Sequence, residues 1–224
     1  MENQILPEAL NGNFMATSVG HSKLSMKVFD LNWKRHFPFQ IQDSEIQIRC
    51  GSFEVCHDFY INNYEKIYQS DEGQVRFFQE EPGAAKNRYY KEAGDFFEFY
   101  ASGHLVGIFV GTPSDWSTYY IRNISILPDY QNKKISQIFY KKLLMILDDH
   151  SVARVEVDIS PGNLRHLHIF TKLQFKVTGL KLSERWGALV QLTRFLVPQA
   201  EDVFDTQYCS EYRRNLNKAA SVKP

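Results

Sequence analysis

The stretch from Thr118 to Ser160 constrains the fold more than any other part of the chain. Residues 118–127, TYYIRNISIL, form an apolar and partly β-branched run that predicts a strand. A tight turn and an amphipathic helix to about Asp149 follow, and VARVEVDIS at 152–160 predicts a second strand. Two strands joined through a helix pair in parallel, nearly always by a right-handed crossover. The chain therefore predicts a sheet with helices packed against it.

The first of these two strands carries an irregularity. Tyr119 and Ile121 share one phase of its alternation, whereas Ile124 and Ile126 share the other. An unbroken strand would point the two pairs to opposite faces of the sheet. A strand whose inward phase changes midway usually contains a β-bulge. We therefore expect a bulge in this strand, the fourth of the predicted domain.

The remaining patterns complete a strand and helix order on either side of this unit. They predict an α/β (α+β) fold with a mixed, mostly antiparallel sheet of about six to seven strands and helices on both faces. The predicted strands are 46–50, 95–103, 105–111, 118–127, 152–160, 176–185 and 186–196, and the main helices are 53–69, about 128–149 and 163–175.

The chain of 224 residues suits one domain with extensions. We expect an N-terminal arm and accessory segment at 1–44, the domain at 45–197, and a C-terminal surface helix and tail at 198–224. Part of the accessory segment, residues 22–39, is apolar enough to pack as an extra strand.

Composition limits the kinds of partner. The chain has 26 Lys and Arg against 26 Asp and Glu, which argues against a general nucleic-acid binder.

The three cysteines include no CxxC pair, so we expect reduced thiols and no metal site. The N-terminal residues lack a signal-peptide pattern, and no apolar run reaches the ~18 residues that span a bilayer. We expect a cytoplasmic protein with no membrane span.

The junction between the strand at 118–127 and the following helix carries the clearest chemical signal. The first turn of a helix has backbone N–H groups without intrahelical partners and the positive end of the dipole, so it binds phosphate well. Gln131, Lys133 and Lys134 add donors and positive charge there. The alternative is an ordinary turn with solvated lysines.

Two motifs in this order resemble the GCN5-related N-acetyltransferase (GNAT) superfamily over residues 45–196. The family's phosphate loop, Arg/Gln-x-x-Gly-x-Gly/Ala after a Val-x-Pro strand end, is similar to Ile126-Leu127-Pro128 followed by Gln131-Asn132-Lys133-Lys134-Ile135-Ser136. The family's Asn-x-x-Ala-x-x-x-Tyr-x-x-x-Gly-Phe is similar to the stretch from Asn163 to Phe175, with His166 for Ala, Phe170 for Tyr and Gln174 for Gly.

The resemblance implies acyl transfer from a thioester to an amine by direct attack. It implies that backbone groups at Ile124 and Ile126 bind the pantetheine arm and the thioester carbonyl, and that amides from Asn132 to Ser136 hold the phosphates. The residues it assigns to the donor site are Ile124, Ile126, Gln131, Asn132, Lys133, Lys134, Ile135, Ser136, Asn163 and Phe170.

Two positions depart from the family pattern where catalysis is concerned. Tyr120 stands where many members have a glutamate base, and Phe170 stands where many have a tyrosine that protonates the leaving thiolate. Tyr120 and His166 are the catalytic candidates, since imidazole titrates near neutrality; Tyr119 or a water chain are alternatives. A degenerate relative that binds a ligand without turnover is the competing hypothesis.

The donor and the acceptor stay open at this stage. Acetyl-CoA or another acyl-CoA is the expected co-substrate, and an acyl carrier protein is an alternative, because Lys134 brings bulk to a position where glycine lets a diphosphate approach. The acceptor is a small-molecule or amino-acid amine. If the acceptor is an amino acid and the donor a carrier protein, the enzyme is an acyl-carrier-dependent N-acyl amino acid synthase. We expect an aromatic pocket, if one exists, to be lined by Phe77, Phe78, Tyr89, Tyr90, Trp116, Tyr119 and Tyr120.

Overall fold

The computed structural model describes residues 31–68, 83–183 and 186–209. The predicted arm at 1–22, the residues Phe77 and Phe78 and the end of the tail from 210 lie outside this part of the chain. The structure described below is that of the three described ranges.

The described residues form eight strands and five α-helices in the predicted order. The strands are β1 (Phe39–Gln40), β2 (Ile46–Cys50), β3 (Asp95–Ala101), β4 (His104–Pro113), β5 (Thr118–Ile126), β6 (Arg154–Ile159), β7 (Lys176–Ser183) and β8 (Gly187–Phe195). The helices are α1 (Phe53–Tyr68), α2 (Ala84–Ala93), α3 (Ile135–Asp149), α4 (Leu164–Lys172) and α5 (Pro198–Phe204).

All eight strands belong to one sheet with the order β1-β2-β3-β4-β5-β6-β8-β7. Only β5 and β6 pair in parallel, through the crossover helix α3, so the predicted α/β class with a mixed, mostly antiparallel sheet is confirmed. The strand count is higher than the expected six to seven. The extra strand is the two-residue β1, which lies in the predicted accessory segment and pairs with β2.

The bulge lies at Arg122 in β5. Val110 of β4 pairs with Asn123, and the next β4 residue, Gly111, pairs with Ile121, so Arg122 has no opposite residue. The inserted residue returns the later half of β5 to its original face. Consequently Ile124 and Ile126 pack against the same core as Tyr119 and Ile121, although their sequence phase differs.

The two parallel strands, β5 and β6, separate at the bulge. Pairing between β5 and β6 extends from Thr118 with Arg154 to Ile121 with Val157 and then stops. The last residues of β6 continue to pair with β8, whereas the last residues of β5 continue to pair with β4. A wedge therefore opens between the ends of β5 and β6.

Helices α3 and α4 cover one face of the sheet, and α1 covers β3, β4 and β5 on the other. Phe139 of α3 lies at the centre of the larger core, with ring centroids 5.1 Å from Phe99 and 4.7 Å from Phe109. Tyr140 of α3 packs on Phe170 of α4 at 4.8 Å. These aromatic contacts fix the two helices that border the wedge.

Gly111 should be intolerant of a larger side chain, because a Cβ there would lie 2.6 Å from two ring carbons of Tyr119, which is completely buried. We predict that Gly111→Ala lowers the free energy of unfolding by about 1–3 kcal/mol, as overpacking usually does. Urea denaturation measures the change. Gly83→Ala is the control, since its Cβ would meet no atom within 4 Å; it should cost about 0.5 kcal/mol. Equal losses in the two variants would contradict the prediction.

Candidate functional site

A cleft of about 390 Å³ opens beside the end of β5. Ile124 and Ile126 of β5 form its floor with residues of the loop before α3, and α4 and the end of α1 form its walls. Its lining comprises Ile67, Tyr68, Ile124, Ile126, Tyr130, Gln131, Asn132, Lys134, Ile135, Ser136, Gln137, Asn163, Arg165, His166, His168 and Ile169. The structure thus brings together most of the residues that the two sequence motifs supply.

The loop between β5 and α3 adopts an unusual backbone conformation. A short 3₁₀ turn at Pro128–Tyr130 follows β5, and Asn132 and Lys134 then take φ values of 62° and 59°. The left-handed region favours glycine, and a residue with a Cβ pays roughly 1–2 kcal/mol to occupy it. Such strain often marks a functional loop. Here Lys134 directly precedes the first turn of α3, where the backbone amides have no intrahelical partners.

Gln131 braces this loop. Its Nε2 donates to the carbonyl oxygen of Ile126 at 2.9 Å, and its Oε1 accepts from Nη1 of Arg165 at 3.0 Å. The side chain therefore joins the end of β5 to α4. Gln131 thus holds the loop in place. The exposed guanidinium of Arg165, a residue that the motifs do not single out, supplies positive charge beside the loop.

The two lysines of the loop lie on its exposed side. Nζ of Lys133 is 4.6 Å from the ring centroid of Tyr130, a cation–π contact. Lys134 lines the cleft, and both side chains are exposed. Together with Arg165 they make this end of the cleft positively charged, since no acidic residue is part of its described lining.

The α4 wall is organised by Asn163. Its Oδ1 caps the helix by accepting from the backbone N–H of His166 at 3.2 Å, and it lies 3.2 Å from Nδ1 of the same histidine. An amide oxygen only accepts, so Nδ1 carries the proton and Nε2 is an acceptor. That Nε2 is buried and has no hydrogen-bond partner. Burial, aided by the charge of Arg165, lowers the pKa of His166 to about 4, so the ring is neutral at neutral pH.

Phe170 belongs to the core. It is 1% exposed and packs between Tyr140 and Phe175 with ring centroids 4.8 Å away on each side. It is not among the described residues that line the cleft. The helix therefore presents an apolar ring at the position where the resemblance implies a tyrosine hydroxyl in relatives.

A tyrosine hydroxyl does enter the cleft, but from α1. The hydroxyl of Tyr68 donates to Oδ1 of Asn123 at 2.9 Å and lies 2.9 Å from Oγ of Ser125. Although 39% of Tyr68 is exposed, burial of its hydroxyl end raises its pKa above the usual value. Neither sequence motif includes Tyr68. Its only signal is a stripe of Tyr60, Tyr64 and Tyr68 at four-residue spacing, whose rings contact one another.

Tyr120 lies at the wedge but outside the described lining of the cleft. Its hydroxyl donates to Oδ2 of Asp158 at 3.0 Å. Burial and then the neighbouring carboxylate raise the pKa of Tyr120 well above its usual value. Tyr120 is therefore protonated at neutral pH and acts as a hydrogen-bond donor there.

The aromatic residues that we expected around a pocket are dispersed where the structure describes them. Trp116 is 71% exposed, Tyr119 is buried in the core, and Tyr90 packs on the guanidinium of Arg122 at 4.1 Å. The aromatic residues of the cleft are instead Tyr68 and Tyr130.

The described residues contain no group of three or more His, Cys, Asp or Glu side chains arranged to hold a metal ion. None of their helices combines the length and the apolar character needed to cross a membrane.

Several solved structures share the fold. YncA of Salmonella typhimurium, solved with its cofactor acetyl-CoA, has a TM-score of 0.52 at 14% identity over 69% of this chain and 95% of its own. The ribosomal-protein-S18-alanine N-acetyltransferase of Escherichia coli has a TM-score of 0.52 at 13% identity over 67% and 94%. A Bacillus subtilis acetyltransferase in complex with CoA has 0.50 at 16% identity over 68% and 99%.

At these identities the structural likeness shows the fold, and the sequence provides the family. Comparison with curated proteins gives no match. The sequence model of the Acetyltransferase (GNAT) family matches residues 55–175, more than half of the chain, and this range contains both motifs and the wedge between β5 and β6. The chain is therefore an acetyltransferase and belongs to the GNAT family.

Proposed function

We propose that the protein is an N-acyltransferase that moves an acyl group from an acyl-CoA, acetyl-CoA in the simplest case, to an amine. The observation that carries this proposal is the cleft that extends from the free end of β5 to the positively charged loop before α3. The cleft offers a slot for a thin thioester arm at one end and unpaired backbone amides for phosphate at the other. The residues from 45 to 197 would form the catalytic domain.

The phosphate end would use the backbone more than the side chains. The amides from Asn132 to Ser136 are placed by two left-handed residues and by the start of α3. Lys134 and Arg165 add positive charge, and Gln131 fixes the loop through Ile126. Asn132 and Lys134 take the left-handed conformation that glycine adopts easily, although neither is a glycine. This supports CoA, with its diphosphate, over a carrier-bound phosphopantetheine as the donor.

The arm of the donor would lie along the free edge of β5. Beyond Ile121 this strand has β4 on one side only, so alternate backbone groups on its other side face the wedge. Backbone groups at Ile124 and Ile126 are suited to the amides of the arm and to the thioester carbonyl. The neutral Nε2 of His166 provides a buried acceptor on the opposite wall, which suits an N–H of the donor better than proton abstraction.

The protein must assist three steps of the reaction. The amine must lose a proton, the developing oxyanion must be stabilised, and the leaving thiolate must be protonated. Holding both substrates in the wedge supplies the proximity that a direct attack requires. The C–N bond then forms at the acyl carbon as the C–S bond breaks.

We assign protonation of the thiolate to Tyr68. Phe170 has no proton to give, and the one N–H of the neutral His166 ring faces Asn163. Tyr68 has a hydroxyl in the cleft, protonated at neutral pH because burial raises its pKa, and its partners Asn123 and Ser125 flank Ile124. Thiols ionise near pH 8.5 and phenols near pH 10, so transfer of a proton from tyrosine to a thiolate is uphill, and burial of Tyr68 adds to the difference.

Donor binding should be detectable directly. We predict that acetyl-CoA at 100 times its Kd raises the free energy of unfolding by about 2.7 kcal/mol, because ligand binding to the folded state stabilises it. Thermal shift or urea denaturation measures this. Arg165→Ala should weaken the affinity about tenfold through loss of charge at the phosphate end, a change of about 1.4 kcal/mol. Lys172→Ala, an exposed cation on the same helix, is the matched control.

The same assay with CoA, acetyl-CoA and 4′-phosphopantetheine separates the alternatives. Stabilisation by phosphopantetheine but not by CoA would move the donor to a carrier protein. Stabilisation by acetyl-CoA without acylation of any amine would favour a binding protein that has lost catalysis. No stabilisation by any of the three would refute the donor site.

The role of Tyr68 predicts a loss in turnover. Tyr68→Phe removes only the hydroxyl, and general acid catalysis typically contributes 10²–10⁴-fold, so kcat should fall by about 10²-fold or more. The KM for acetyl-CoA should change little. Tyr64→Phe, one helical turn earlier and not part of the described cleft lining, should retain the kcat of the original enzyme. Unchanged turnover in Tyr68→Phe, or equal losses in both variants, would contradict the assignment.

A further inference from the structure

Asp158 occupies a distinctive place in the sheet. It is the first residue of β6 beyond the last pair between β5 and β6, Ile121 with Val157. Its neighbours Val157 and Ile159 are buried in the core beneath α3 and α4, so Asp158 projects to the opposite face. Only 10% of its side chain is exposed. A carboxylate thus lies nine-tenths buried at the tip of the wedge.

The two oxygens of this carboxylate are used unequally. Oδ2 accepts from the hydroxyl of Tyr120 at 3.0 Å and from Nζ of Lys181 at 2.9 Å. Oδ1 is buried and has no hydrogen-bond partner. Leaving a buried polar atom unpaired costs roughly 1–3 kcal/mol, and more for a charged group. An unpaired carboxylate oxygen at the tip of the wedge, outside the described lining of the cleft, is well suited to a ligand that donates hydrogen bonds and carries positive charge.

We propose that Asp158 binds the ammonium group of the acceptor and accepts its proton, so that the acceptor is a cationic primary amine. This inference rests on the acyl transfer proposed above. Lys181, whose side chain is 46% exposed, places an ammonium on Asp158 in the free protein. The substrate's ammonium displaces Lys181 from Oδ2 and also donates to the unpaired Oδ1. Tyr120 is a positioning residue, since it reaches the reaction only through Oδ2 of Asp158.

Other charged groups on this face have partners of their own. On β6, Oε1 of Glu156 lies 3.3 Å from Nε of Arg154, and Arg154 also bonds Asp115 at 3.1 Å. On β5, the guanidinium of Arg122 stacks on Tyr90 and donates to its hydroxyl at 3.0 Å.

On β7, Nζ of Lys181 is 5.9 Å from the ring centroid of Tyr120. A substrate that carries a primary ammonium can replace Lys181 at Asp158. Such a group keeps both the ion pair with Asp158 and the cation–π contact with Tyr120.

The protons of the reaction balance with this assignment. The bound ammonium gives one proton to Asp158, which passes it to water. The free amine then forms the C–N bond, and the C–S bond breaks with its electron pair on sulfur. The thiolate takes the proton of the Tyr68 hydroxyl, and the second N–H proton leaves the nitrogen and restores that hydroxyl through water. The products are an amide, a thiol and one proton released to solvent.

Two substitutions should act in opposite directions on the same amine. Asp158→Asn keeps the shape of the side chain and removes the charge, so kcat/KM for cationic primary amines should fall by about 10²-fold or more. Lys181→Met removes the competing ammonium, so KM for the same amines should fall several-fold. Steady-state kinetics with spermidine, phenethylamine and aniline, at saturating acetyl-CoA, measures both. Aniline is uncharged at neutral pH, so Asp158→Asn should affect it least.

The comparison distinguishes this role from a structural ion pair. A merely structural Lys181–Asp158 pair would make both variants lose stability and activity together, and that result would overturn the proposal. So would Asp158→Asn retaining its kcat/KM for the cationic amines, or an enzyme that acylates aniline but neither of the charged amines. Asp148→Asn, an exposed carboxylate at the far end of α3, is the matched control.

Melting temperatures with and without acetyl-CoA accompany each variant. If the original protein shows no stabilisation by acetyl-CoA, the donor site itself fails. If acetyl-CoA stabilises the original protein and Asp158→Asn equally, a loss of amine acylation in the variant belongs to the acceptor site alone. Acetyl-CoA binding without acylation of either charged amine would overturn the assignment of the acceptor class.

Discussion

The separation of β5 from β6 is the constraint on which the rest of the site depends. The bulge at Arg122 keeps the apolar side chains of β5 on the core face while the strand turns away from its parallel neighbour. The last residues of β5 consequently have one paired edge and one free edge. Unpaired backbone groups inside a protein are costly unless water or a ligand satisfies them. The free edge of β5 is therefore suited to a ligand that pairs with main-chain N–H and C=O groups.

The helices hold that slot open from both faces of the sheet. On one face, α3 and α4 are fixed by the contacts of Phe139 and Tyr140 with the sheet and with Phe170. On the other face, α1 brings Tyr68 to Asn123 and Ser125, directly on the free part of β5. The hydroxyl of Tyr68 on α1 therefore lies against the free part of β5, and the carboxylate of Asp158 lies on β6 just past the last pair between β5 and β6.

The departures from the family motif are compensated locally. Asn132 and Lys134 take the left-handed conformation that glycine adopts more easily, and Gln131 ties the resulting loop to Ile126 and Arg165. Phe170 fills the core without a hydroxyl. In our proposal the proton that a tyrosine on α4 would give comes from Tyr68 on α1, which faces the same slot from the opposite wall.

The sequence alone determined the element order, the parallel crossover, the bulge and the place of the loop before α3. These follow from alternation, helical period and turn residues, which act over a few neighbouring positions. Only the tertiary structure decided which side chains share the wedge. Tyr68 meets Asn123, and Asp158 meets both Tyr120 and Lys181, across 55, 38 and 23 residues of chain. Such contacts depend on strand register and helix packing, and no local pattern encodes them, so Tyr68 and Asp158 were not foreseen.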